Sequence, residues 1–366
     1  MPYGNINVDT VTTTTPGGIL GGGNASLMKN RIINGAMVIA QRGTSSSDPA
    51  NGQYLVDRFQ YNLSTTGKIS TSQSSTAPTG FTKSLLATSS SAYSVSSTDY
   101  FTITQPIEGF NVADLGWGTA SAKTVTLSAW VYSSLTGTFG GSIMNGAFNY
   151  AYPFTYSIPT ANTWTQISVT IAGPTAGTWP TDNSSSVQVN FSLGAGSTRS
   201  GTAGSWTGSL LFSATGATSV VGTSGATFYI TGVQLEVGSS ATGFEYRHIG
   251  TETALCQRYY IRYANGTGQR LGVGDRYAST FIQCMTFFPT EMRTAPTLVA
   301  TTGSGYYVFY QAGTAHTFNS FTLDSGGTTT KIAVMYNSGD TSATAGQCGM
   351  YQTNNASGSI AFSAEL

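Results

Sequence analysis

Two histidines, His248 and His316, stand far apart in the chain, and neither has the spacing that metal ligation or activation of a nucleophile requires. Serine is abundant, yet no Gly-x-Ser-x-Gly turn joins a strand pattern to a helix pattern. Glycoside hydrolysis needs two carboxylates facing each other across about 5 to 10 Å. The acid pairs that sequence proximity offers are Glu108 with Asp114 and Glu236 with Glu245, and Glu236 is expected to cap or to pair with Arg247. Cys256, Cys284 and Cys348 are odd in number and lack a C-x-x-C spacing, so neither a disulfide framework nor a zinc site is indicated. Reduced thiols and no cofactor are expected.

Sugar binding asks for less than sugar cleavage: a ring face that stacks on the apolar side of a pyranose, with amides or hydroxyls beside it. Trp179 lies near Asp182 and Asn183, Trp206 sits within GTAGSWTGS, and Tyr150 and Tyr152 follow Asn149. A Tyr-rich run, Tyr306, Tyr307, Phe309 and Tyr310, with His316 nearby, is a further set of ligand-contact candidates. Neighbouring strand residues face opposite ways, so only one half of that run can be exposed. The plain alternative is that these rings fill a core or an interface between subunits.

What would position such residues is a strand framework. Only 8% of the 366 residues are charged, against about 25% in an ordinary globular chain. Fifteen basic residues balance fifteen acidic ones, so no basic face for nucleic acid or anionic lipid is implied. Aromatic residues at 12% argue against disorder, because disordered chains lack the rings and branched side chains that repay ordering entropy. There is no basic start followed by an apolar core and no apolar run of about eighteen residues, so membrane insertion is not expected and synthesis in a cytoplasm is.

Period-two patterns mark the strands. Val125, Leu127, Ala129 and Val131 share a face in KTVTLSAWVY, as do Ile167, Val169 and Ile171, and then Val187, Val189, Phe191 and Leu193. In ATFYITGVQLEVG the phase changes at Gly232, from Phe228 and Ile230 to Val233, Leu235 and Val237, which is the signature of a β-bulge. Helical periodicity is confined to TETALCQRYY, with Thr251 as its cap and Leu255 and Tyr259 on one face. Ile32, Val38 and Ile39 suggest a short strand or anchor before it all. The expected fold is all-β: an antiparallel jelly-roll sandwich over 46–250, a smaller C-terminal β domain over 251–366, and an N-terminal arm and attachment segment over 1–45, of which 1–27 reads as extended.

The segments NRIINGAMVIAQRG (30–43), SSTAPTGFTKSLL (74–86), ITQPIEGFNVADLGWGTASAKTVTLSAWV (103–131), GATFYITGVQLEVG (225–238) and FEYRHIGTETALCQRYY (244–260) occur in this order. On these the chain resembles a family of bacteriophage tail-fibre and tail-tip proteins. Ala36 stands where such proteins often carry an acid. The resemblance implies a virion structural protein, usually a homotrimer with a lectin-like sandwich, and supplies no ligand residues. The resulting expectation is a non-enzymatic tail-fibre subunit. Its arm docks to tail or baseplate proteins and its C-terminal domain meets a host surface glycan or receptor. The alternatives are a capsule-depolymerising tailspike and a purely structural baseplate or decoration protein.

Overall fold

The computed structural model describes residues 28–366; the expected arm over 1–27 lies outside the described residues. The fold is almost entirely β, a jelly-roll-like sandwich with smaller sheets, as the periodicity predicts. The chain forms two compact units. One runs to Met37 and includes Ser47–Gly52 and Tyr61–Arg247; the other comprises Val38–Ser46, Gln53–Gln60 and His248–Leu366.

In the first unit two antiparallel sheets face each other. The longer strands of one are, in order, Ile69–Ser74, Ser84–Ser89, Thr227–Val237, Val125–Ser133 and Thr165–Ile171. Those of the other are Gln60–Leu63, Tyr100–Glu108, Ser185–Ala195, Gly137–Asn145 and Ala151–Ile158. Val125, Leu127, Ala129 and Val131 are buried, as are Val187, Val189, Phe191 and Leu193. Burying each of the Val, Leu and Phe side chains among them contributes about 1.5 to 3 kcal/mol.

The bulge is where the phase change places it. Register between Thr227–Val237 and Val125–Ser133 shifts between Thr231 and Gln234, with Gly232 at φ +61°. The shift frees the backbone of Val233, whose N–H donates to Gly35 O at 3.0 Å and whose O accepts from Asn30 Nδ2 at 3.1 Å. Residues 28–37 thereby join the first unit. Their backbone is irregular, with Asn34 and Met37 at positive φ, so the strand expected around Ile32 does not form. Buried Ile32, Ile33 and Met37 anchor the segment instead.

The second unit holds a three-stranded sheet, Tyr260–Asn265, Ser359–Ser363 and Thr297–Ala300. Its seven-stranded sheet runs Thr314–Phe318, Tyr307–Gln311, Cys348–Thr353, Arg270–Ala278, Phe281–Phe287, Ile332–Ser338 and Thr322–Leu323. The helix is Ile249–Gln257, capped at His248 without a side-chain bond, so Thr251 lies inside it rather than at its start. Glu365 is held by Arg42 at 3.0 Å and by the fully buried Arg58, which ties the chain end into this unit. Cys256 and Cys284 are buried free thiols and Cys348 is an exposed one.

Candidate functional site

Rings that are scattered in sequence meet at the loops of the sandwich. Trp117 follows two short 3-10 turns, Gly109–Asn111 and Ala113–Leu115. Trp179 precedes the strand Ser185–Ala195, Tyr150 and Tyr152 lie where the chain enters Ala151–Ile158, and Trp206 sits in the loop after Ser200–Gly201. Trp206 is the hub: Tyr150 stacks on it at 5.7 Å and 8°, Tyr152 lies at 5.3 Å, and Trp117 and Trp179 meet it edge-on at 5.6 and 5.5 Å. Trp117 and Trp179 pack edge-on at 4.9 Å.

Backbone acceptors take all three indole N–H groups: Trp117 Nε1 donates to Lys123 O at 2.9 Å, Trp179 to Ala176 O at 3.0 Å and Trp206 to Ala172 O at 2.7 Å. The rings are thus locked in place. The loops pair with one another as well, Ala151 with Thr207 through two bonds of 2.9 Å. Trp117 and Trp179 form the buried base, while Trp206, Tyr150 and Tyr152 remain partly exposed. Burial pushes the Tyr152 phenol above its ordinary value, so it stays a neutral hydrogen-bonding group.

Of the residues singled out by sequence, Trp179 and Trp206 come together with Tyr150 and Tyr152. Trp117 was missed, although its GWG setting, a ring between glycines that break a strand, is a legible loop signal. Exposed Phe148 was missed too, and no periodicity marks it.

The Tyr-rich run divides as alternation requires. Tyr307 is fully buried among Phe318 and Phe321, and its hydroxyl donates to Thr301 O at 2.6 Å, so it serves the core and presents no ring to a ligand. Tyr310 is 37% exposed on the opposite face, and Tyr306 is partly exposed in the preceding turn. His316 pairs with Phe309 on the Tyr307 side of the sheet, where burial and then the Arg276 charge hold its imidazole below the usual value. These four residues do not assemble into one site.

The acid pairs are engaged structurally. Glu236 accepts from Gln234 Nε2 at 2.8 Å and from Thr242, with Lys29 at 3.8 Å. Glu245, not Glu236, is the partner of Arg247, at 3.3 Å, and it also accepts from Asn30 N–H at 2.8 Å. Asp114 lies against Arg31 at 2.8 Å, while Glu108 is buried. Among the described residues no group of three or more His, Cys, Asp or Glu is placed to hold a metal ion, and no helix is long and apolar enough to cross a membrane.

No protein-family model and no curated protein matches the sequence. Among solved structures, the chain is similar to the enzymatically active domain of tailspike protein 4 of bacteriophage CBA120. Identity is 14% over 57% of this chain and 22% of that one, with a TM-score of 0.31. It is also similar to the carbohydrate-binding module CBM4 (14% identity, 56% of this chain, 98% of that one, TM-score 0.29). A third is the family 11 module of a Clostridium thermocellum cellulase (12% identity, 54% of this chain, 99% of that one, TM-score 0.26). The chain spans about a fifth of the tailspike it aligns with, and likeness at this level assigns no activity.

Proposed function

We propose that this chain is a subunit of a phage tail fibre, displayed on the virion as a homotrimer, that binds host surface glycan through the ring cluster of its sandwich without cleaving it. Attachment to tail or baseplate proteins falls to its N-terminal residues. The observation that carries glycan binding is the convergence of five rings from four separate segments on one spot, with the three indole N–H groups already bonded to the backbone. Rings locked in this way offer apolar faces and edges at small entropic cost, which suits the C–H faces of a pyranose. Binding loops on a rigid strand scaffold are the usual arrangement for recognition. The phage setting is supported by the five ordered segments of the sequence resemblance, 30–43 through 244–260.

The position of the reader differs from the C-terminal expectation. Tyr307 belongs to a core, whereas Trp179 and Trp206 belong to a ring cluster with partly exposed members. The test is competition: purified full chain should block phage adsorption to host cells, and Trp206→Ala should weaken the block at least tenfold while the protein stays folded. Release of reducing sugar from host polysaccharide would replace binding by cleavage. Undiminished competition by Trp206→Ala would move the reader elsewhere.

A further inference from the structure

The turn that leads to Tyr150 holds a residue in a costly backbone conformation. Between the strands Gly137–Asn145 and Ala151–Ile158, Phe148 sits at φ +57°. In this left-handed region a bulky L side chain crowds its own backbone, and Gly or Asn is the usual occupant. Core packing does not offset that cost, because Phe148 is 41% exposed. The turn is clamped by Asn145 instead. Its Oδ1 accepts the N–H groups of Asn149 and Tyr150, both at 3.0 Å, and its Nδ2 donates to Asn149 Oδ1 at 2.7 Å. The clamp therefore holds the Phe148 ring in solvent at a backbone cost that its own packing does not offset.

Charge narrows what that role can be. The loops that carry the rings, 109–123, 145–150, 172–184 and 203–208, contain Asp114, Lys123 and Asp182 and no other charged residue. Lys123 lies 3.8 Å from Asp114, and Arg31, from the adjoining segment, lies 2.8 Å from it. Asp182 is an exposed carboxylate whose Oδ1 accepts from Ser184 N–H at 2.8 Å. Asp182, three residues after Trp179, adds negative charge to these loops, and Lys123 and Arg31 already lie against Asp114, so an anionic sugar on the rings would find no unengaged cation among them. Desolvating its charge there would cost binding free energy without compensation.

We infer that the ring cluster takes an uncharged glycan, with Phe148 as a contact residue beside Tyr150, and discriminates against chains bearing uronic acid or phosphate. This rests on the glycan-binding reading above. The experiment probes the full chain against two immobilised sets of purified bacterial polysaccharides, one neutral and one carrying uronic acid or phosphate. Binding should be confined to neutral members. Phe148→Gly should bind them at least fivefold more weakly while melting at a temperature no lower than the parent, and Phe148→Tyr should retain binding. Equal or preferential binding to the acidic set overturns the inference and leaves glycan binding standing; so does full affinity in Phe148→Gly. Binding to neither set overturns both.

Discussion

Tyr307 and Tyr310 show how little residue type says about role. Tyr307→Ala removes a ring packed on Phe318 and Phe321 together with hydroxyl bonds to Thr301 O and Ser359 O. A loss of about 3 to 5 kcal/mol is expected in denaturant unfolding, whereas Tyr310→Ala, whose ring is 37% exposed on the opposite face, should cost much less. Similar losses in the two variants would contradict the face assignment. Asp99 gives a pH prediction. Burial raises its carboxyl, but bonds from Ser96 N–H, Tyr93 OH and Ser64 OH outweigh that, and the net shift is downward. A carboxyl lowered in the folded state stabilises above its unfolded value and loses that contribution as pH falls through its folded value. Asp99→Asn should therefore be less stable than the parent at pH 7, with the gap narrowing as pH falls below about 4; a gap of the same size at every pH would show that the ionised form contributes nothing. Legibility at this scale was partial. Alternation foretold that the Tyr run would split, but which half is buried depends on strand partners distant in sequence.

Among the elements, the strand Thr227–Val237 was the most legible, because a bulge writes itself into the sequence as a phase change at a glycine. A side chain at Gly232 would place its Cβ 2.7 Å from the Phe81 ring and 3.1 Å from Trp130, at a backbone angle L residues avoid. Gly232→Val should cost at least about 2 to 3 kcal/mol, read as a lower melting temperature, and an unchanged one would mean that the strand re-registers freely. The same spot gives most of the long segments of the sequence resemblance a structural part, Trp117 in 103–131 being the ring they lend to the cluster. Asn30 and Gly35 bond to the freed backbone of Val233, Phe81 and Trp130 flank Gly232, Gln105 exchanges two bonds of 2.8 Å with Ile33, and Phe244 meets Phe81 at 5.1 Å. Those segments build the bulge and its cover. The ring cluster, by contrast, is made mostly by loops outside them, where no period exists to be read and only the fold brings Tyr150, Trp179 and Trp206 together. The helix start was misplaced for a related reason: Thr251 is a good cap by type, but His248 occupies the cap position, and the cap has no side-chain bond.

For the whole molecule, low charge leaves association to apolar surface. On the outer face of the seven-stranded sheet, Tyr310 pairs with Met350, Met350 with Val273, and Met285 with Val334, while the pairing of Gly274 with Cys284 sets Val273 beside Met285. This makes a continuous apolar row across five strands. Tyr277 and Phe287 extend it, exposed by 73% and 68%, as is Val273 by 73%. Such side chains together present on the order of 500 Å², at the upper end of what a lone chain usually leaves in water and a large part of one partner's share in a stable interface. Asp275 and Arg270 on the same strand carry opposite charges, so a second copy would meet no field of one sign. A homotrimer joined through this face should scatter light as three chains, and should do so equally at low and high salt, since screening acts on charges and not on apolar burial. Val273→Asp puts a carboxylate in the middle of the row and should reduce the mass to one chain while leaving the β-rich circular dichroism of the folded chain unchanged, because within one chain that side chain is largely exposed. A trimeric mass that survives Val273→Asp would place the interface elsewhere, and a single-chain mass for the parent at micromolar concentration would overturn the trimer.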